Sequence, residues 1–133
     1  MKLYRVIIPV SDIEKAAEFY GRVFGTEGER VSPGRHYFDC GGVVFACYDP
    51  KADGDPGEAR PLPDHVYFST DDIEGAYESC HAAGATIPDV IIAGVGAIGR
   101  IETRPWGERS FYAADPFGNP LCFVDARTVF TGF

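Results

Sequence analysis

Apolar and polar positions along the chain fall into two similar series. Leu3 to Val10 is a short apolar, β-branched run, the pattern of a strand. Ile13, Ala16, Ala17, Tyr20, Val23 and Phe24 then recur at helical spacing and make one apolar face. Ser11 stands at its entry as the predicted N-cap, with Glu14 completing a capping box, and Gly25 stops the helix. Glu27–Val31, His36–Cys40 and Val43–Tyr48 follow as predicted short strands. Ser32-Pro33-Gly34 and Gly41-Gly42 are the turn signals between them.

A break rich in proline, glycine and charge runs from Asp49 to Pro63, the composition of a linker or surface excursion. The pattern then starts again. His65 to Thr70 is a second strand, Asp71 takes the place of Ser11, and Ile73, Ala76, Tyr77 and Cys80 form a second helix face that ends at Ala83-Gly84. With an offset of 60 residues, Asp12-Ile13-Glu14, Ala16 and Glu18 are identical to Asp72-Ile73-Glu74, Ala76 and Glu78, and Val6 matches Val66. This is the mark of an internal duplication. Thr86–Ile92 is predicted as a strand, and Ala93 to Gly107 as a long glycine-spaced loop carrying Arg100, Arg104 and Trp106. Arg109–Ala114 and Pro120–Val124 pair as a closing hairpin around Asp115-Pro116-Phe117-Gly118-Asn119, where Pro116 fixes φ and Gly118 is free to take φ > 0. The expected organisation is one domain over residues 1–133, with a first module at about 1–48, a linker at about 49–62 and a second module at about 63–133.

Composition narrows the functions open to such a chain. Hydrophobic residues make up 45% and aromatic residues 14%, enough for a substantial core. The formal net charge of -8 argues against nucleic acid and against anionic membrane surfaces as partners. No apolar run approaches the roughly 18 residues of a spanning helix, and the first residues lead straight into a strand without a secretory signature. Cys40, Cys47, Cys80 and Cys122 form no CxxC pair, which suits reduced thiols and a cytoplasmic location.

The strand followed by Val10-Ser11-Asp12-Ile13, the helix segment Phe19-Tyr20-Gly21 with Phe24-Gly25, the stretch His65 to Asp72, and Asp115-Pro116-Phe117-Gly118-Asn119 together resemble the glyoxalase/bleomycin-resistance/dioxygenase group, the vicinal oxygen chelate superfamily. The resemblance covers nearly the whole chain. It implies an α+β fold of two paired βαβββ modules, each a curved antiparallel sheet, around a cleft. It also implies a homodimer with sites at or near the interface. Members with metal chemistry place a His or Glu on each first strand and a Glu on each last strand, a set suited to divalent Mn, Fe, Ni or Zn. Here the corresponding positions are Arg5, seven before Asp12; His65, seven before Asp72; Cys122, seven after Asp115; and, on Val43–Tyr48, a position nearest Phe45. A guanidinium stays protonated and repels a divalent cation, so the expectation is a cleft with no bound metal.

The expected function is therefore small-molecule binding, of an antibiotic or another aromatic or partly anionic compound, with Arg5, Phe45, His65, Trp106 and Cys122 as the ligand-contacting residues. Arg5 either holds an anionic group or pairs with an acidic neighbour. His65 is either a cleft residue or a structural one. Cys122 is either a nucleophile beside His65 or core filling. Trp106, the only tryptophan, either stacks on a flat ligand or plugs the loop. His36 and His81 are expected at the surface. Strand alternation sends half of Tyr37, Phe38, Phe45, Tyr48, Tyr67, Phe68, Phe111, Tyr112 and Phe123 to the core and leaves the others for a pocket. The alternative is a metal-dependent lyase, isomerase or dioxygenase with a divalent ion on His65 and on Glu102 or Glu108 from the loop. A third possibility is a silent scaffold whose cleft is filled by its own side chains.

Overall fold

A computed structural model describes residues 1–132. The first module consists of β1 (Arg5–Pro9), α1 (Ile13–Phe24), β2 (Glu29–Ser32), β3 (Arg35–Cys40) and β4 (Val43–Tyr48). The second consists of β5 (Val66–Thr70), α2 (Ile73–Ala83), a short hairpin of β6 (Ile91–Ile92) and β7 (Gly96–Ala97), then β8 (Glu102–Thr103), β9 (Arg109–Ala114) and β10 (Pro120–Asp125). A single 3-10 turn, η1 (Ala126–Thr128), follows. The two four-stranded sheets share one topology, β1-β4-β3-β2 and β5-β10-β9-β8, and neither closes into a barrel.

The α+β pattern of paired modules is present, with three local differences from expectation. First, the sheets are mixed: β1 pairs with β4 and β5 with β10 in parallel, and the remaining pairs are antiparallel. A helical crossover after the first strand of each module returns the chain to the same end of the sheet, which makes the closing strand parallel to the first. Second, Thr86–Ile92 is not one strand: its last two residues, Ile91–Ile92, form β6 and pair with β7. Thr86 makes one bridge to Ala114, and the third strand of the second trio is β8, inside the segment expected to be loop. Third, the caps sit one residue later. Asp12 Oδ1 accepts from the Lys15 N–H (3.1 Å) and Asp72 Oδ1 from the Gly75 N–H (3.0 Å), in place of Ser11 and Asp71. No capping box forms at Ser11, because Glu14 turns outward to Arg30 (2.8 Å). Gly25 and Gly84 end the helices at φ 70° and 89°, where a side chain would be strained.

One core serves both modules. Ile8, Tyr20, Phe38 and Phe45 join Ile73, Phe111, Leu121 and Phe123 in a continuous cluster beneath the two packed helices. Phe68 bridges the halves, with its ring centroid 5.6 Å from Phe24, 5.7 Å from Phe45 and 5.0 Å from Phe123. The strand aromatics sort by chemistry. Phe38, Phe45, Phe68, Phe111 and Phe123 pack on the helix side. Tyr37 and Tyr48 share their register with Ala46 and Arg35 on the open side of the first sheet. Tyr67 and Tyr112 flank Cys122 on the open side of the second. A phenol keeps its hydroxyl near water at little cost, so the rings carrying one take the face without helices.

The turn from β9 to β10 joins this core to the linker. Asp115, Asn119 and Tyr20 are buried. Tyr20 Oη donates to Asp115 Oδ2 (2.6 Å), and the Phe117 and Asn119 N–H groups donate to Asp115 Oδ1 (2.9 and 2.8 Å). Asn119 Nδ2 donates to Asp115 Oδ2 and to the Pro9 carbonyl, and Asn119 Oδ1 accepts from the Leu62 N–H. Burial and the adjacent carboxylate push the Tyr20 hydroxyl well above the usual tyrosine range. His36, expected at the surface, is buried. Its Nε2 lies 2.8 Å from the Glu27 carbonyl and its Nδ1 accepts from Arg30 Nε (3.3 Å). His81 is exposed, as expected. Among the described residues, no helix is long and apolar enough to cross a membrane.

Candidate functional site

The open side of the second sheet carries the candidate site. Arg104, Pro105, Trp106 and Gly107 make a tight turn between β8 and β9, closed by the Gly107 N–H on the Arg104 carbonyl (2.8 Å). Pro105 suits the second position of that turn, and Gly107, at φ 96°, leaves it in a conformation a side chain resists. The turn raises Trp106 over the sheet. After β10, η1 swings Val129 and Phe130 back toward it. Between these walls lies a groove of about 460 Å³ floored by Tyr67, Ser69 and Val124. Trp106 is 41% exposed, Tyr67 58% and Phe130 64%, so three aromatic rings stand open to solvent around one hollow. Glu108 ties the walls together: Oε1 accepts from Trp106 Nε1 (2.9 Å) and Oε2 from the Phe130 N–H (3.0 Å).

Arg104 holds this arrangement from below. Its guanidinium is buried, donates to Ser110 Oγ (3.0 Å), and reaches the carbonyls of Val95, Ala97, Ile98, Arg100 and Ser110. It also lies 5.3 Å from the Tyr112 ring centre. Glu102, the nearest carboxylate, is 4.0 Å away and partly exposed. Backbone dipoles therefore satisfy the charge, and the side chain pins the β6–β7 hairpin and the following loop to β9.

The structure separates the five residues singled out in the sequence. Trp106 walls the groove. His65 is exposed at the entry to β5, with its ring centre 5.1 Å from that of Tyr112 and 6.3 Å from that of Tyr67. Cys122 lies beneath on the same side of the sheet, packed with Tyr112 and Val124 and covered by Ile98. Arg5 is on the other sheet, exposed, with Nη2 on Tyr4 Oη (3.1 Å) and Nη1 on Tyr37 Oη (3.4 Å). Its partners are thus two phenols, not an acid. Phe45 faces the opposite way from Arg5. The register Arg5↔Val44 puts Val44 and Ala46 on the open side and turns Phe45 into the core, 4.7 Å from Tyr20. There it also lines a separate apolar cavity of about 210 Å³ between β1 and β5. Tyr67 is one of the strand aromatics that alternation left for a pocket, whereas Phe130 and Glu108's bridging role lie beyond what the sequence pointed to; the apolar pair Val129-Phe130 after the last strand was the available signal.

A divalent metal does not fit the positions the family pattern indicates. Arg5 is cationic, the neighbouring open-side positions of β4 are Val44 and Ala46, and Cys122 is buried. Burial pushes the Cys122 thiol up to about 12, so it stays protonated and is neither a ready ligand nor a nucleophile. Among the described residues, no three His, Cys, Asp or Glu side chains gather so as to hold a metal ion. Cys47 and Cys80 are buried with thiols likewise raised to about 12, leaving Cys40 as the one partly exposed cysteine. Titration of the folded protein with dithiobis(nitrobenzoate) is expected to count one thiol, and all four after denaturation. A second fast thiol would show that Cys122 is reachable.

A larger hollow, of about 560 Å³, lies along the outer face of α1 among Glu14, Glu18 and Arg22. It offers no aromatic wall and is an ordinary solvated helix face.

Comparison with known proteins agrees with this architecture. A family model described as Glyoxalase/Bleomycin resistance protein/Dioxygenase superfamily matches residues 2–123. Among solved structures, the chain is similar to a glyoxalase-related enzyme from Fulvimarina pelagi (TM-score 0.73, 20% identity, 94% of this chain and 88% of that one). It is similar to a lactoylglutathione lyase from Agrobacterium tumefaciens (0.69, 21%, 99% and 97%) and to the oxidase ChaP-H2 (0.68, 22%, 94% and 93%). At these identities the likeness is one of fold. No curated protein matches the sequence.

Proposed function

The chain belongs to the glyoxalase/bleomycin resistance protein/dioxygenase superfamily, and from that premise we propose that it is a small-molecule-binding member that holds a flat aromatic compound, such as an antibiotic, without the metal set usual in the family. The observation that carries this reading is the groove with three solvent-facing rings, Trp106, Tyr67 and Phe130. Open aromatic faces around one concavity suit stacking on a planar ligand, and few polar groups are needed to orient it. The metal-free part rests on donor chemistry, since a guanidinium and a protonated buried thiol occupy two of the four ligand positions. The fold itself is neutral on the point, as the lyase and oxidase among its structural neighbours illustrate.

The neutral dye N-phenyl-1-naphthylamine tests the reading, with Trp106 as the fluorescent reporter. Saturable binding near one dye per chain is expected, weakened about tenfold by Tyr67→Ala. Absence of saturation, or indifference to Tyr67→Ala, would remove the groove as the site. Tight, nearly stoichiometric uptake of Mn, Fe(II), Ni or Zn would instead favour a metal-dependent enzyme built on His65 and Glu102 or Glu108.

The same proposal places the protein in the cytoplasm, on the strength of its four free thiols, and as a homodimer. Support for the dimer is the exposed apolar surface at and just before β1, formed by Leu3, Tyr4 and Ile7. Light scattering on the sample used for the dye titration gives the mass, and a monomer at micromolar concentration would remove the dimer.

A further inference from the structure

The groove has a sign as well as a shape. Among the described residues, Glu108 is the only charged side chain lining it. Its carboxylate is half-buried between the walls, and each oxygen already accepts one N–H. Those two bonds stop it from swinging away into solvent, and each oxygen keeps acceptor capacity on the groove side. Among the described residues, no arginine or lysine forms an ion pair with Glu108. The nearby cations are committed elsewhere: Arg109 to Glu74 (2.6 Å) and Asp125, Arg127 to Asp125 (2.8 Å), and Arg104 to carbonyls under the sheet. His65 stands beside Tyr67 and Tyr112 and is not part of the lining. An uncompensated carboxylate thus sits at the Nε1 edge of Trp106 in a groove also lined by Tyr67 and Phe130, and aromatic faces themselves attract cations. The Tyr67 hydroxyl is raised first by burial, then by the neighbouring Cys122, and last by the charge of Glu108. Arg5, which suggested an anionic ligand, lies on the other sheet against Tyr4 and Tyr37.

We propose that the groove selects a cationic aromatic ligand, a flat ring system bearing a quaternary or protonated nitrogen, with Glu108 as its counter-charge inside an aromatic cage. This rests on the groove being the ligand site. The carboxylate and the ring quadrupoles act with the same sign. An anion of the same shape meets repulsion from both, and the net charge of -8 steers cations toward the surface and anions away from it.

Three probes of nearly equal shape separate charge from stacking: 1-methylquinolinium (cation), 1-methylnaphthalene (neutral) and 1-naphthoate (anion). Each is titrated into the wild-type protein at low and high salt, then into Glu108→Gln. The cation is expected to bind about tenfold tighter than the neutral probe, and the anion weakest. The preference should shrink in high salt, since the carboxylate is only half-buried. In Glu108→Gln the ratio of cation to neutral-probe affinity should fall to about one, and that ratio is the readout, because the amide also loses one of the two wall contacts. Equal binding of cation and neutral probe, or tighter binding of the anion, overturns the charge selection and leaves the aromatic groove standing. Failure of all three to saturate removes the groove itself. Should Glu108→Gln lose the neutral probe as well, because a wall has come loose, the wild-type series and its salt dependence decide alone.

Discussion

Asp115→Ala is expected to cost about 3–5 kcal/mol of folding stability, because it strands several buried donors at once. The Tyr20 hydroxyl, two backbone N–H groups of the turn and Asn119 Nδ2 all point at this carboxylate, which is 2% exposed. Water does not reach the site to replace it. The loss also spreads, because Asn119, left without its anchor, is the residue that holds the Pro9 carbonyl and the Leu62 N–H. Asp115→Asn keeps one oxygen for the turn N–H groups but presents an amide N–H₂ to Asn119 Nδ2, so roughly half of the loss is expected. Urea denaturation measures both. A change below about 1 kcal/mol in Asp115→Ala would mean that the turn relaxes and that the network is not a keystone.

Arg104→Ala is expected to destabilise by about 3–5 kcal/mol and to loosen the groove as it does so. Five carbonyls lose a charged donor together, with Ala97 and Ile98 keeping a backbone one, and the cavity left under Tyr112 removes packing from the groove's underside. Arg104→Lys should recover less than half of the loss. An ammonium has three donors on a flexible stem, where the site uses the planar fork of a guanidinium. Hydrogen exchange distinguishes this from simple global destabilisation. The Tyr112 amide, donated to the Ile98 carbonyl, and the Ile98 amide, donated to Val90, should lose protection before the amides of β3 and β4 do. Uniform loss across both sheets would show that Arg104 supports the whole fold and has no special hold on this segment.

The helices, the β3–β4 hairpin and the closing hairpin were legible because each is written locally, in a 3.6-residue period or in turn residues between alternating strands. The duplication was legible because Asp12-Ile13-Glu14 and Asp72-Ile73-Glu74 do the same capping work. Within the cap, Ser11 and Asp12 are both good candidates, and the choice fell to Asp12 because Glu14 found Arg30 on β2, a partner remote in sequence. Phe45 was misplaced for a similar reason. Period-2 alternation says that its neighbours face the other way, but only the pairing with β1 says which way that is. Arg104 read as a loop residue because its partners are carbonyls, which every residue has, so nothing in the side-chain pattern announces its burial. The groove's chemistry was half visible: Trp106 stood out by its rarity, whereas Phe130 becomes a wall only once η1 turns the chain back.

The parallel pairing within each sheet also sets the order in which the molecule comes together. In both halves the closing strand lies between the opening strand and the antiparallel pair, so the central strand of each sheet is the last one to leave the ribosome. The first half has all its strands once Tyr48 has emerged. The second holds β5 unpaired through the 49 residues from 71 to 119, until Pro120–Asp125 arrive to sit beside it. Contacts of such sequence separation slow folding. During that wait, Phe68 has the finished first half to lean on, through Phe24 and Phe45, before its own sheet exists. The early half thus acts as the template on which the late half assembles, and nascent-chain pausing before residue 120 should accumulate a species with the first sheet formed and β5 still open.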